Sequence, residues 1–160
     1  MSRAEPAAGP GDRAARFVEL SALLTGFGRV QLTGTGLAGM YLRVLDSTLP
    51  EGMPDELLDI FGGLPAGADR EAAAGAAILD DPRLGPVARN IILLWYCGTW
   101  TALPDAWRAT YGSSPLDVSR VVSAEAYQGG LQWTAAGAHP AGARQQGFGA
   151  WALPPEGRPE

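Results

Sequence analysis

The most apolar part of the chain is the segment IILLWYCGTW at positions 91–100, which ends a longer stretch beginning DDPRLGPVARN. Apolar residues recur there at helical spacing and cover almost every side of the helix: Val87, Ile91, Ile92, Leu93, Leu94 and Trp95. Asp81 is a capping residue, and Pro82 suits the first turn. Because a helix that is apolar all round lies at the centre of a bundle, the segment predicts a central helix over 83–97.

Weaker apolar stripes predict further helices around this one. Two of them cover 14–26 and 35–47, and a third lies in MPDELLDIFGG and ends at Gly62. A fourth is expected in DREAAAGAAIL, and a last one in AEAYQGGLQW, with Ser123 at its start. Between them, GTWTALPDAWRATYGSSP is expected to form a loop that carries two tryptophans.

These patterns contain no strong strand and no internal repeat, so the predicted class is all-α. We expect a disordered leader over 1–13 and a small helical bundle over 14–135. A long, irregular C-terminal arm rich in Gly, Pro and aromatic residues should follow over 136–160. The 13 prolines and 22 glycines agree with an arm that has no regular period.

Charge and hydropathy exclude several classes of partner. All 12 basic residues are arginine, none of them clustered, and the net charge is −5, which disfavours nucleic acid. No apolar run reaches the roughly 18 residues of a membrane helix, so no direct membrane insertion is expected. The N-terminal residues show neither an apolar signal core nor paired arginines, and a cytoplasmic location is expected.

The sequence offers few residues for acid–base catalysis, nucleophilic catalysis or metal binding. The single cysteine, Cys97, falls at the C-terminal end of the predicted central helix, where the helix dipole disfavours a thiolate. A nucleophilic Cys97 paired with the single histidine, His139, is one hypothesis; a buried, inert thiol is the other. One His and one Cys cannot complete a zinc site. We therefore predict no catalytic, cofactor-binding or metal-binding residue.

The segment GTGLAG, Gly34–Gly39, matches the glycine pattern GxGxxG of dinucleotide-binding folds. That pattern needs a strand before the helix and a second strand after it, and DSTLPEGMPDE offers no apolar run for the second. Alternatively, the small residues let two helices approach closely. A free-standing helical module that binds a small ligand or nucleotide at Gly34–Gly39 is therefore the alternative function.

Large aromatic residues lie in or beside the irregular segments and are the candidates for a partner interface. The candidate interface residues are Trp100, Trp107, Trp133, Phe148, Trp151 and Pro154. In this interpretation the arm lies across a partner, with Phe148 and Trp151 as anchors. The alternative is that the arm folds back over its own bundle.

Four segments together resemble one known family: FVELSALLTG (17–26), ILLWYCGTW (92–100), AYQGGLQW (126–133) and HPAG…GFGAWALPP (139–155). The chain resembles the small subunit of bacterial FAD-dependent sugar and polyol dehydrogenases of the sorbitol and fructose dehydrogenase type. The stretch 50–82 matches nothing in that pattern.

The resemblance implies a subunit without an active site. In the family, a large flavoprotein of the glucose-methanol-choline type holds FAD and the catalytic histidines, and the small subunit serves its maturation, stability or export. Some complexes add a multihaem cytochrome c subunit. Many members carry a twin-arginine signal, which this sequence lacks. Either the heterodimer works in the cytoplasm, which is the expectation here, or the N-terminus of the sequence was trimmed or misassigned.

Overall fold

The computed structural model describes residues 9–138, which are mostly helical and contain one small antiparallel sheet. This confirms the predicted all-α class. The helices are α1 (Pro10–Thr25), α2 (Arg29–Gly34), α3 (Ala38–Thr48), α4 (Met53–Gly62), α5 (Arg70–Ala74), α6 (Leu84–Cys97), α7 (Asp105–Tyr111), α8 (Ala124–Gln128) and α9 (Leu131–Ala136). The strands are β1 (Thr99–Trp100) and β2 (Arg120–Val121), with Thr99 opposite Val121 and Trp100 opposite Arg120.

The central helix is α6, as its sequence predicts. It packs against α1, α8, α9 and β1, and its apolar stripe is fully buried. Its first turn is capped by Asp81, whose Oδ1 accepts the backbone N–H groups of Arg83 at 2.8 Å and Leu84 at 2.7 Å. The ring of Trp95 joins three helices, because it stacks on Phe17 of α1 and meets the edge of Tyr41 of α3.

Helix α1 begins at Pro10, so residues 10–13 are helical and the predicted leader is too long by one turn. Proline is favoured at a helix N-terminus, and Arg13 attaches this turn to its neighbours. Its guanidinium donates to Asp46 of α3 and to Asp55 of α4, both at 2.6 Å. These contacts are long-range, so the local sequence gives no sign of them.

The stretch 50–82, which matches nothing in the family pattern, contributes to the core. Helix α4 forms as predicted, with Pro54 in its first turn, and buries Leu57 and Phe61. The predicted helix in DREAAAGAAIL is present as a 3₁₀ turn (Gly67–Asp69), α5 and a π-helical turn (Gly75–Leu79) that buries Ile78. This segment contacts α4 and α6 and closes that side of the bundle.

Two predictions for the second half of the chain are corrected. The stretch expected to be a loop contains α7 between two short strands. The single helix expected from AEAYQGGLQW is two, α8 and α9, divided at Gly129 and Gly130. A Cβ atom at Gly130 would lie 2.5 Å from the carbonyl oxygen of Tyr96, so the chain bends where it meets α6 without side chains between.

No helix within residues 9–138 has both the length and the apolar character that crossing a membrane requires.

Candidate partner interface

Two of the tryptophans predicted to contact a partner belong to the core of this chain. Trp100 is fully buried, and its Nε1 donates to Oδ1 of Asp117 at 2.8 Å. Trp107 is 5% exposed, and its Nε1 donates to the carbonyl of Arg83 at 2.8 Å. The prediction that Trp100 and Trp107 form an interface is therefore wrong, because folding of the stretch after α6 turns both rings inward.

Trp133 is half-buried and is the one predicted interface tryptophan among residues 9–138 that keeps an exposed part. Its ring meets the edge of Tyr127 at 5.3 Å, and its Nε1 donates to the carbonyl of Tyr127 at 2.8 Å. The remaining predicted interface residues lie outside the described part of the chain: Phe148, Trp151 and Pro154. So does His139, the hypothetical partner of a nucleophilic Cys97.

An exposed apolar surface occurs instead on residues 114–121, which we call the apolar loop. Leu116, Val118 and Val121 are 51%, 52% and 54% exposed, respectively. Single exposed apolar residues are ordinary on protein surfaces, but here three lie within six positions of the chain. Exposed apolar side chains that cluster are typical of sites that bind another protein.

Buried and charged groups hold the apolar loop in one conformation. Asp117, 1% exposed, points inward between two outward-facing residues, and its Oδ1 accepts from Trp100 Nε1 and from the backbone N–H of Leu103 at 3.1 Å. On the outer side, Arg120 Nη1 donates to the carbonyl oxygens of Leu116 at 2.5 Å and Val118 at 3.0 Å. The apolar side chains are thus presented by an ordered backbone, which lowers the entropy lost on binding.

The sequence contains a weak signal of this loop. In SSPLDVSRVV, the aliphatic residues Leu116 and Val118 alternate with Asp117 and Ser119 in a stretch without a helical stripe. Alternation of that kind predicts one face inward and one outward. Which face is inward depends on the buried Trp100, 17 positions away, and that contact is not local.

A second open surface, which we call the α1–α3 groove, lies where α1, α2 and α3 meet. It has a volume of about 770 Å³ and contains Val30, which is 89% exposed. Its walls are formed largely by very small residues: Gly11, Ala14, Ala15, Gly34, Ala38 and Gly39. At the rim, Arg29 donates to Glu19 at 2.8 Å, so this pair adds no net charge.

The glycines of GTGLAG line this groove but do not belong to a dinucleotide fold. The residues before them form α2, where that fold requires a strand, and Gly36 with φ of +71° makes the turn into α3. They do not mark close helix packing either. A Cβ atom at Gly34 would meet nothing within 4 Å, and one at Gly39 would meet the Arg43 guanidinium at 3.6 Å.

Cys97 is half-buried and is the last residue of α6, which is the position predicted from the sequence. At a helix C-terminus the partial negative charge opposes a thiolate. Burial raises the pKa of the nearby Tyr41. Within residues 9–138, no three His, Cys, Asp or Glu side chains converge in a way that could hold a metal ion.

Comparisons of the chain with models of protein families, with curated proteins and with solved structures found no match. A proposal for its function therefore depends on the two open surfaces and on the resemblance of its sequence segments.

Proposed function

We propose that this chain is a non-catalytic accessory subunit that binds and stabilises a large FAD-dependent dehydrogenase. The observation that carries the proposal is the apolar loop, in which Leu116, Val118 and Val121 are held outward by the buried Asp117. The choice of partner comes from the sequence resemblance. It is a flavoprotein of the glucose-methanol-choline type that holds FAD and oxidises a sugar hydroxyl.

The exposed area of the loop is large enough to matter for assembly. Full burial of a valine or leucine side chain contributes about 1.5–3 kcal/mol, so covering the exposed half of three such residues contributes about 3 kcal/mol. A subunit that binds only the folded flavoprotein also stabilises that flavoprotein by mass action. This agrees with a subunit whose role is to mature and stabilise the flavoprotein.

The test is co-expression of the tagged chain with the flavoprotein encoded beside it, followed by affinity purification and a visible spectrum. We expect a yellow complex with a large partner. The double variant Leu116→Ser/Val118→Ser should weaken assembly about tenfold to thirtyfold, since about 2 kcal/mol of apolar burial is lost. The control is Ala109→Ser, at an exposed position on α7 outside both the apolar loop and the α1–α3 groove.

Each outcome of that experiment has a defined meaning. A colourless chain that purifies alone would reject the flavoprotein as partner. A yellow complex that forms equally well with the double variant would keep the partner and exclude the apolar loop as its contact. Haem bands in the spectrum of the purified complex would indicate that it also contains a cytochrome c subunit. The cytoplasmic location is tested by fractionation of the native host, where recovery from the periplasm would contradict it.

A second candidate function is a ligand-binding module at Gly34–Gly39, supported by the open groove that these glycines line. Because the groove is apolar and Arg29 at its rim is paired with Glu19, an uncharged apolar ligand fits better than a nucleotide. Calorimetric titration of the lone chain with an apolar dye and with adenosine monophosphate would separate the two. Tight binding of the nucleotide would contradict this assessment.

A further inference from the structure

We propose that the α1–α3 groove is the docking site of the chain's own C-terminal segment, residues 145–155, in the same molecule. This inference does not rest on the proposed function, because it concerns the subunit alone. It decides between the two positions that the sequence left open for the C-terminal arm, on a partner or back over its own bundle.

Neither the segment nor the groove carries a net charge. Residues 145–155, QQGFGAWALPP, contain no charged side chain. The groove walls are apolar, and its rim pair Glu19–Arg29 is mutually neutralised at 2.8 Å. An uncharged segment enters such a groove without leaving an unpaired charge behind.

The shapes agree as well. Walls made of glycine and alanine leave a wide, shallow space, and a Cβ atom at Gly34 would meet nothing within 4 Å. The segment supplies two large rings, Phe148 and Trp151, each flanked by Gly or Ala residues that let its backbone approach closely. Large rings on one side and small residues on the other are the combination that packs at high density.

The chain leaves the described part close enough to the groove to reach it. A Cβ atom at Gly129 would lie 2.9 Å from Leu37, which directly precedes the groove residues Ala38 and Gly39. After Gly129 the chain makes the short helix α9 and leaves the described part at Ala138. The ten residues from there to Phe148 span up to about 33 Å when extended.

Covalent attachment favours this segment over a second molecule. A tethered segment acts at an effective concentration in the millimolar range, so even weak apolar contacts fill the groove. Covering the groove also removes Val30, 89% exposed, from water. A second copy, by contrast, has to compete with a segment that is always present.

The test uses the full-length chain purified alone, with a photo-activated benzophenone amino acid in place of Val30. A second protein carries the same group in place of Val121, which is exposed on the apolar loop. After irradiation, monomer-sized product is digested with trypsin, which cuts after Arg144, and analysed by mass spectrometry. We expect position 30 to crosslink to the peptide that begins at Gln145, and position 121 not to do so.

A charge placed in the groove should release the segment. Ala15→Glu, at an exposed groove position, should lower the crosslinking yield from position 30 at least fivefold. Ala109→Glu, at an exposed position on α7, should leave it unchanged. Circular dichroism of both variants confirms that each is folded.

Three results would overturn the proposal: crosslinks only in dimer-sized product, no crosslink from position 30 to residues 145–160, or the same yield with Ala15→Glu. Crosslinking of the segment to the flavoprotein alone in the co-expressed complex would also overturn it, and would leave the proposed function intact. A lone chain that crosslinks as expected but forms no yellow complex would support the docking of the segment and reject the proposed function.

Discussion

Asp117 connects the apolar loop to the core, so its removal tests how the loop is held. The carboxylate is 1% exposed and accepts from Trp100 Nε1 at 2.8 Å and from the N–H of Leu103 at 3.1 Å. Arg108 Nε lies 3.9 Å from its other oxygen and adds a weaker attraction. The substitution Asp117→Ala leaves both N–H donors buried without an acceptor.

The expected cost follows from those two donors. A buried hydrogen-bonding group that loses its partner costs about 1–3 kcal/mol, so two cost about 2–6 kcal/mol. Removing a buried charge recovers part of the desolvation penalty, and we expect a net loss of about 3 kcal/mol in the free energy of unfolding. For a chain of 160 residues this lowers the melting temperature by about 6–12 °C.

The assay is urea unfolding followed by circular dichroism, with Asp117→Asn as the matched variant. Asparagine keeps an acceptor oxygen for Trp100 and Leu103 but removes the charge near Arg108, so we expect it to cost about half as much as alanine. A loss below about 1 kcal/mol for Asp117→Ala would refute the argument that this carboxylate holds the loop. Equal losses for both variants would assign the effect to the charge instead of the hydrogen bonds.

Three further predictions concern the core. Burial raises the pKa of Tyr41 in the folded chain, so the contribution of this tyrosine to stability is complete below the unfolded pKa of about 10 and is lost as the pH rises above that value. Urea unfolding at pH 8 and pH 11 should show this fall in the free energy of unfolding, and Tyr41→Phe should make the fall smaller. At Gly98, φ is +64° and an added Cβ would lie 2.5 Å from the Ala126 backbone, so Gly98→Ala should lower stability by about 3 kcal/mol or more. At Gly26, φ is +77° but the surrounding space is open, so Gly26→Ala should cost about 1 kcal/mol. Equal losses in thermal melts would contradict the role of the contact with α8. Cys97→Ser should leave assembly with the flavoprotein unchanged, and fast alkylation of Cys97 by iodoacetamide at neutral pH would contradict an inert thiol.

Apolar periodicity predicted a helix correctly where the apolar residues of one segment recur at helical spacing. Helices α6 and α4 follow from their periodicity. Pro54 lies in the first turn of α4, and Asp81, just before α6, accepts the backbone N–H of its first residue, Leu84. The pattern failed for α7, because its seven residues are too short to show a period and because the burial of Trp107 involves Arg83, 24 positions earlier, whose carbonyl accepts the indole N–H. It failed for α8 and α9 because the break at Gly129–Gly130 serves a contact with another helix.

The candidate sites show the same limit. Aromatic residues in irregular sequence were a reasonable signal for an interface, yet Trp100 is buried because Asp117 accepts its indole N–H. The exposed residues of the apolar loop are ordinary aliphatic ones and do not belong to the predicted interface. The glycines at Gly34–Gly39 match a dinucleotide-binding pattern, but they line an apolar groove.

The sequence by itself determined the all-α class, the central position of α6 and its start next to Asp81, because periodicity and capping act within one or two turns. Only the tertiary structure decided which apolar side chains remain outside. That choice depends on contacts between residues 17 or more positions apart, such as Trp100 with Asp117 and Arg13 with Asp46. A short sequence window contains one member of each such pair, so exposure, and with it the candidate interface, is a property of the folded chain.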